Sequence, residues 1–108
     1  MSSHQLTSTL DADLARVSVA VKEATRELGL LVREESDAFL RVSENRLTMS
    51  PWANSTTLRI SLEATGADAT RVTVSAKNIG LGPIQSRHVR TVAETFAARL
   101  SEVVRRPR

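Results

Sequence analysis

Apolar residues recur early in the chain at spacings of four, three, four, three, four and three: Leu10, Leu14, Val17, Val21, Ala24, Leu28 and Leu31. That rhythm places one apolar stripe on a helix over 11–28, with Asp13, Arg16, Lys22, Glu23, Arg26 and Glu27 off the stripe. Asp11 is positioned to cap its first turn, and Asp13 suits the positive end of the helix dipole. Gly29 tolerates the left-handed conformation that ends a helix. A coiled coil would sustain its heptads for longer, so a helix packed on a sheet is the simpler reading.

A period of two takes over downstream. In 57–63, Leu58, Ile60 and Leu62 point one way and Thr57, Arg59, Ser61 and Glu63 the other. In 71–77, Val72, Val74 and Ala76 alternate with Arg71, Thr73, Ser75 and Lys77. The short turn through Thr65, Gly66, Ala67 and Asp68 makes these two an antiparallel hairpin, and their strict alternation predicts one buried and one wet sheet face. Residues 30–35 and 38–43 read as two more strands around a Ser36-Asp37 turn, and 4–9 as a short edge strand. The helical period returns over 86–104, where Val89, Val92, Phe96, Leu100 and Val103 form a stripe, Ser86 is a candidate N-cap and Pro107 lies beyond the end. The pattern therefore predicts a two-layer α+β domain over 1–104. It has an antiparallel sheet of about four strands, with that short N-terminal strand as an extra one, covered on one face by an N-terminal and a C-terminal helix.

Composition narrows the chemistry. The chain has 108 residues, no cysteine and 3% aromatics, so thiolate metal sites, disulfides and a cysteine nucleophile are excluded and the core must be aliphatic. Residues 1–80 carry nine basic and ten acidic side chains, and residues 81–108 carry six and two. The basic excess thus sits at the end, and 105–108 is expected to be a solvated basic tail. No run of side chains approaches a membrane span, and the first residues lack a basic stretch followed by an apolar one. The expected location is the cytoplasm.

The two histidines, His4 and His88, do not form a metal-ligand spacing with each other or with nearby carboxylates, so no metal and no cofactor is expected. His88 lies in the first turn of the closing helix beside Arg87 and Arg90, where a cation opposes the dipole, so it is expected to be neutral and exposed. Glu34 and Glu35 are strand neighbours and cannot converge for acid–base work without a bulge. The stretch from Asn78 to Pro83 lacks the third glycine of a dinucleotide loop and the Lys-Ser/Thr of a phosphate loop, and reads as a connector. The candidates that remain for binding are Trp52 and Met49, in a Pro-containing loop over 48–56, and Arg59 and Arg71 on the outward sheet face. Trp52 either closes one end of the core or stands out as an interface anchor. Arg41 joins Arg59 only if their strands are neighbours in matching register.

The order of a helix ending at Leu28-Gly29-Leu30, a Ser50-Pro51-Trp52-Ala53-Asn54 loop, the strands around Leu58–Leu62 and Val72–Ala76, and a closing helix resembles a loose group of small bacterial helix–sheet–helix domains of unassigned function. The resemblance implies the fold more than an activity. The expectation is a binding or protein-interaction module, not an enzyme, with a protein partner or self-association through an exposed strand edge. Two alternatives stand beside it: a carrier of an apolar small molecule between sheet and helices, and a nucleic-acid binder using outward arginines and the basic C-terminus. The latter ranks lower because the chain lacks an aromatic platform.

Overall fold

The computed structural model describes residues 1–45 and 54–107. The elements follow the order β1 (Ser2–Leu10), α1 (Leu14–Glu27), β2 (Leu31–Ser36), β3 (Phe39–Ser43), β4 (Thr57–Gly66), β5 (Ala69–Asn78) and α2 (Pro83–Arg105). The sheet order is β1-β5-β4-β3-β2, every pair antiparallel. Both helices lie on one face, as the alternation of β4 and β5 requires.

The sheet has five strands rather than four. The N-terminal strand is not a short extra: it runs nine residues and pairs with β5 from Ser2 opposite Asn78 to Leu10 opposite Thr70. Its signal in the sequence is weak because only Leu6 and Leu10 among its inward positions are large and apolar. Helix α1 begins later than its periodicity suggests. Asp13, not Asp11, is the N-cap, its carboxylate accepting from the Arg16 N–H at 2.8 Å. Gly29 ends it with φ of 69°, a value an L side chain adopts only under strain. Helix α2 begins earlier, at Pro83 behind Gly82, because proline fixes a helical φ and needs no N–H partner at that position; Ser86 therefore lies inside the helix.

The core is an aliphatic layer closed by one aromatic ring. Val42, Leu58, Ile60, Val72, Val74 and Ala76 of the sheet meet Val17, Val21 and Ala24 of α1 and Val89, Ala93, Phe96 and Leu100 of α2. Fully burying each large side chain contributes about 1.5–3 kcal/mol, so this layer supplies the main driving force for the fold. Edge strand β2 is exposed throughout, and its Arg33, Glu34 and Glu35 protect it from pairing with other chains. A register shift between Val32 and Glu34 sits ahead of its two glutamates, which pair in unbroken register and point to opposite faces: Glu34 turns to Arg41 and Glu35 to Lys22.

The C-terminus is docked. Arg106 donates to both carboxylate oxygens of Glu27 and to Glu102, and the Arg16 guanidinium donates to the carbonyls of Val104 and Arg106. The expectation of a solvated basic run therefore fails at Arg106. The last turn of α2 leaves carbonyls without helical partners, and Arg16 from α1 supplies donors for them.

Candidate functional site

The inner face of the sheet changes character along the strands. Rows led by Leu58 and Ile60 are apolar, but the row at one end reads Ser2, Asn78, Thr56 and Glu44. Ser2 is the register partner of Asn78, Thr56 and Asn78 each lie one residue beyond the paired Thr57 and Lys77, and the Glu44 N–H donates to the Thr56 carbonyl at 3.0 Å. Ser2, Asn78 and Thr56 are buried. Helix α2 begins at this end, bringing Gln85 and His88 over the row.

Glu44 is the hub. Its Oε1 lies 2.6 Å from His88 Nε2 and accepts the Thr56 N–H at 3.0 Å, with the two side chains only 12% and 21% exposed. An ionised carboxylate can only accept, so that ring nitrogen carries the hydrogen. His88 is thus half-buried and paired, not exposed as its place in the sequence suggests. The acceptor that draws it in comes from the end of β3, and no periodic pattern connects the two. Beside this pair stands Thr56. Its side chain faces inward in step with Leu58 and is fully buried, and among the described residues its Oγ1 has no hydrogen-bond partner. A buried hydroxyl without a partner is rare in folded proteins because it forfeits its hydration without recompense.

A second set of bonds knits the rest of the floor. Gln85 Oε1 accepts from the Asn54 N–H at 2.9 Å and from Asn78 Nδ2 at 3.3 Å. Asn78 Oδ1 accepts from the Gly80 N–H at 3.0 Å, and Ser2 Oγ donates to the Gly80 carbonyl at 2.9 Å. Glycine at position 80 lets these side chains close in: a Cβ would fall 2.6 Å from Asn54 Nδ2 and collide with the Gln85 side chain, so both would have to shift. Around this polar floor stand exposed aliphatic side chains, with Ile79 80%, Leu81 77% and Ile84 66% exposed and Met1 at the neighbouring chain end. The connector from Asn78 to Pro83 is therefore an apolar rim as well as a link.

Of the binding candidates read from the sequence, Trp52 and Met49 lie outside the described residues. Arg59 and Arg71 share the outer face but do not act together. Arg71 is spent on Glu63 at 3.3 Å toward the β4–β5 turn, whereas Arg59 opposes Arg41 across β3 and β4. Among the described residues no cluster of three metal-ligating side chains occurs, and no helix is long and apolar enough to cross a membrane.

With this geometry in view, the comparisons with known proteins place the fold. No protein-family model and no curated protein sequence matches the chain. Solved structures do. A protein from Arthrobacter aurescens aligns over 97% of this chain and 87% of its own, with a TM-score of 0.68 at 14% identity. A START superfamily protein from Mycobacterium smegmatis aligns over 94% and 96%, with a TM-score of 0.58 at 16% identity. A self-sacrificing resistance protein from Micromonospora echinospora aligns over 94% and 95%, with a TM-score of 0.59 at 16% identity. The chain has a helix-grip-like fold. At these identities the likeness is one of architecture: an antiparallel sheet wrapped against a long C-terminal helix.

Proposed function

We propose that the domain binds a small molecule at the polar end of the grip, with Glu44, Thr56 and His88 as the recognising groups. The unpartnered Thr56 hydroxyl carries this reading, since a ligand atom that bonds it would remove the cost of leaving it unsatisfied. The rim of Ile79, Leu81 and Ile84 suits an apolar body, and the floor suits a hydrogen-bonding head, so the ligand is amphipathic. The middle of the grip is a poor place for a wholly apolar molecule. Phe96, Leu58, Ile60 and Leu100 already fill it, and the pocket that reaches it beside Val21, Leu40 and Ile60 holds about 10 Å³. The role is binding rather than turnover, and the fold it shares with a START superfamily protein and a resistance protein is compatible with that role. The same exposed rim also favours a second reading, association with a protein partner through Ile79, Leu81 and Ile84.

Native mass spectrometry of freshly purified protein, followed by titration with any retained small molecule, tests the first reading. Thr56→Val should leave the unliganded fold intact and weaken binding by about tenfold, the effect of one hydrogen bond of roughly 1.4 kcal/mol. Binding unchanged in Thr56→Val but lost in Ile79→Ser, with a second protein retained instead of a small molecule, would favour the protein-partner reading.

A further inference from the structure

The outer face of the sheet carries an electrostatic conflict that the fold does not need. Arg41 and Arg59 are direct cross-strand partners, and opposed like charges destabilise a sheet. Lys77 joins them one strand over, its position opposite Thr57 and diagonal to Arg59. Arg33 approaches from β2, its Nε donating to Ser43 Oγ at 2.8 Å. Among the described residues, neither Arg59 nor Lys77 has an ion-pair partner. Arg59 instead stands over the Phe39 ring, 5.9 Å from its centroid, which holds the guanidinium above the sheet. Arg41 has only a 3.7 Å contact with Glu34.

These cations line two adjoining grooves. One, of about 390 Å³, is bounded by Glu34, Arg41, Thr57, Arg59 and Lys77. The other, of about 450 Å³, is bounded by Ser3, His4, Gln5, Ser75, Arg59 and Lys77. Arg59 and Lys77 belong to both, so the grooves form one basic trough floored by hydroxyls.

We propose that this trough is an anion site that takes the pyrophosphate group of a small molecule. Arg41 and Arg59 present two guanidinium forks suited to phosphate oxygens, Lys77 adds a point charge, and Thr57 supplies a hydroxyl donor, while the Ser75 hydroxyl donates to Gln5 Oε1 at 3.1 Å and holds that side chain at the margin. The anion must be short. Glu34 closes the β2 side, the neutral Ser3 and Gln5 close the β1 side, and toward the β4–β5 turn Arg71 is already matched by Glu63. A nucleic-acid strand would need a run of unpaired cations continuing along its track, whereas among the described residues the face adds only Arg33, bonded to Ser43, and the Glu63-paired Arg71. The bound anion relieves the Arg41–Arg59 repulsion, so binding and stability are coupled.

Titration of the isotope-labelled full chain with inorganic pyrophosphate, followed by amide NMR shifts, is the test. Shifts should centre on Arg41, Thr57, Arg59, Ser75 and Lys77. Arg59→Gln and Lys77→Gln should each weaken binding by about tenfold or more, as loss of a charge-assisted contact does. Arg71→Gln on the same face should change it by less than about twofold, the effect of a screened surface charge. Pyrophosphate should raise the melting temperature of the unmodified protein but not that of Arg59→Gln, whose unliganded form should melt no lower than the original. Absence of shifts at millimolar pyrophosphate, an equal loss in Arg71→Gln, or tighter binding of a short single-stranded oligonucleotide than of pyrophosphate would overturn the proposal.

Discussion

Glu44 and His88 lie 44 residues apart in the chain and meet at 2.6 Å where β3 ends and α2 begins. Their contact ties the far end of the sheet to the helix that covers it. The same carboxylate holds the Thr56 N–H, so one side chain fixes three segments at once. Removing it leaves two half-buried or buried donors without an acceptor.

Glu44→Ala is therefore expected to lose about 1–3 kcal/mol of stability, the range for orphaned buried groups. Glu44→Gln keeps an acceptor oxygen and should lose less. Urea denaturation of both variants checks the order. Equal losses would mean that packing, not hydrogen bonding, explains the effect.

Strand β4 offers an internal control on register. Leu58 is fully buried, and Leu58→Ala should cost about 2–5 kcal/mol through transfer and cavity effects. Glu63 on the opposite face is exposed, and Glu63→Gln should stay within about 0.5 kcal/mol of the original protein. Chemical denaturation curves of the two variants measure the difference directly.

Acid should loosen the junction of the two helix ends. Hydrogen bonds from Arg106, and then from Arg99, hold the Glu27 carboxyl below its ordinary value. Its contribution to stability is thus complete above the usual carboxylate range and is lost as pH falls through the lowered value in the folded protein. Glu27→Gln should be less stable than the original at neutral pH, and the gap should close in acid. Thermal melts across a pH series test this; a gap that does not narrow would mean that Glu27 is not ionised in its pair.

Removing 105–108 should lower the melting temperature. The truncation takes Arg106 from Glu27 and removes a carbonyl that Arg16 holds. Arg90→Gln, an exposed cation earlier on α2, is the matched control and should melt close to the original protein. Equal melting temperatures for the truncation and the original would show the C-terminal contacts to be energetically idle.

Much of this architecture is legible in the sequence where a single period dominates. The stripe from Leu14 to Leu28 and the alternation from Leu58 to Ala76 report burial on one side, and burial is what the structure shows for Val17, Val21, Leu58, Ile60, Val72 and Val74. Periodicity is silent where burial is polar. Strand β1 places Ser2, His4 and Ser8 on its inner side, so its true length is hidden, and the Ser2–Asn78–Thr56–Glu44 row looks like ordinary loop chemistry when read along the chain. The two N-cap shifts, Asp11 to Asp13 and Ser86 to Gly82, share a root in that more than one nearby residue can start a helix: Asp13 offers its own carboxylate cap, and Pro83 is preorganised for a first helical position. Pairing across strands is the remaining gap. That Arg41 would oppose Arg59 depended on the neighbour order of β3 and β4, which no local rule determines.

The pairing of β1 with β5 has a kinetic consequence. Ser2 finds Asn78, and its hydroxyl finds the Gly80 carbonyl 78 residues away. During synthesis β1 therefore has no strand neighbour until β5 has emerged. Loop closure over such a separation is unfavourable before other contacts form, and folds dominated by distant strand pairings fold slowly. The middle strands and α1 can assemble first, leaving the β5 edge open until β1 returns to it. A bare edge is a template for pairing with another chain. The interval before β1 docks is the period when this protein is most exposed to misassembly, and substitutions that slow that docking should lower the yield of soluble protein even when they leave equilibrium stability unchanged.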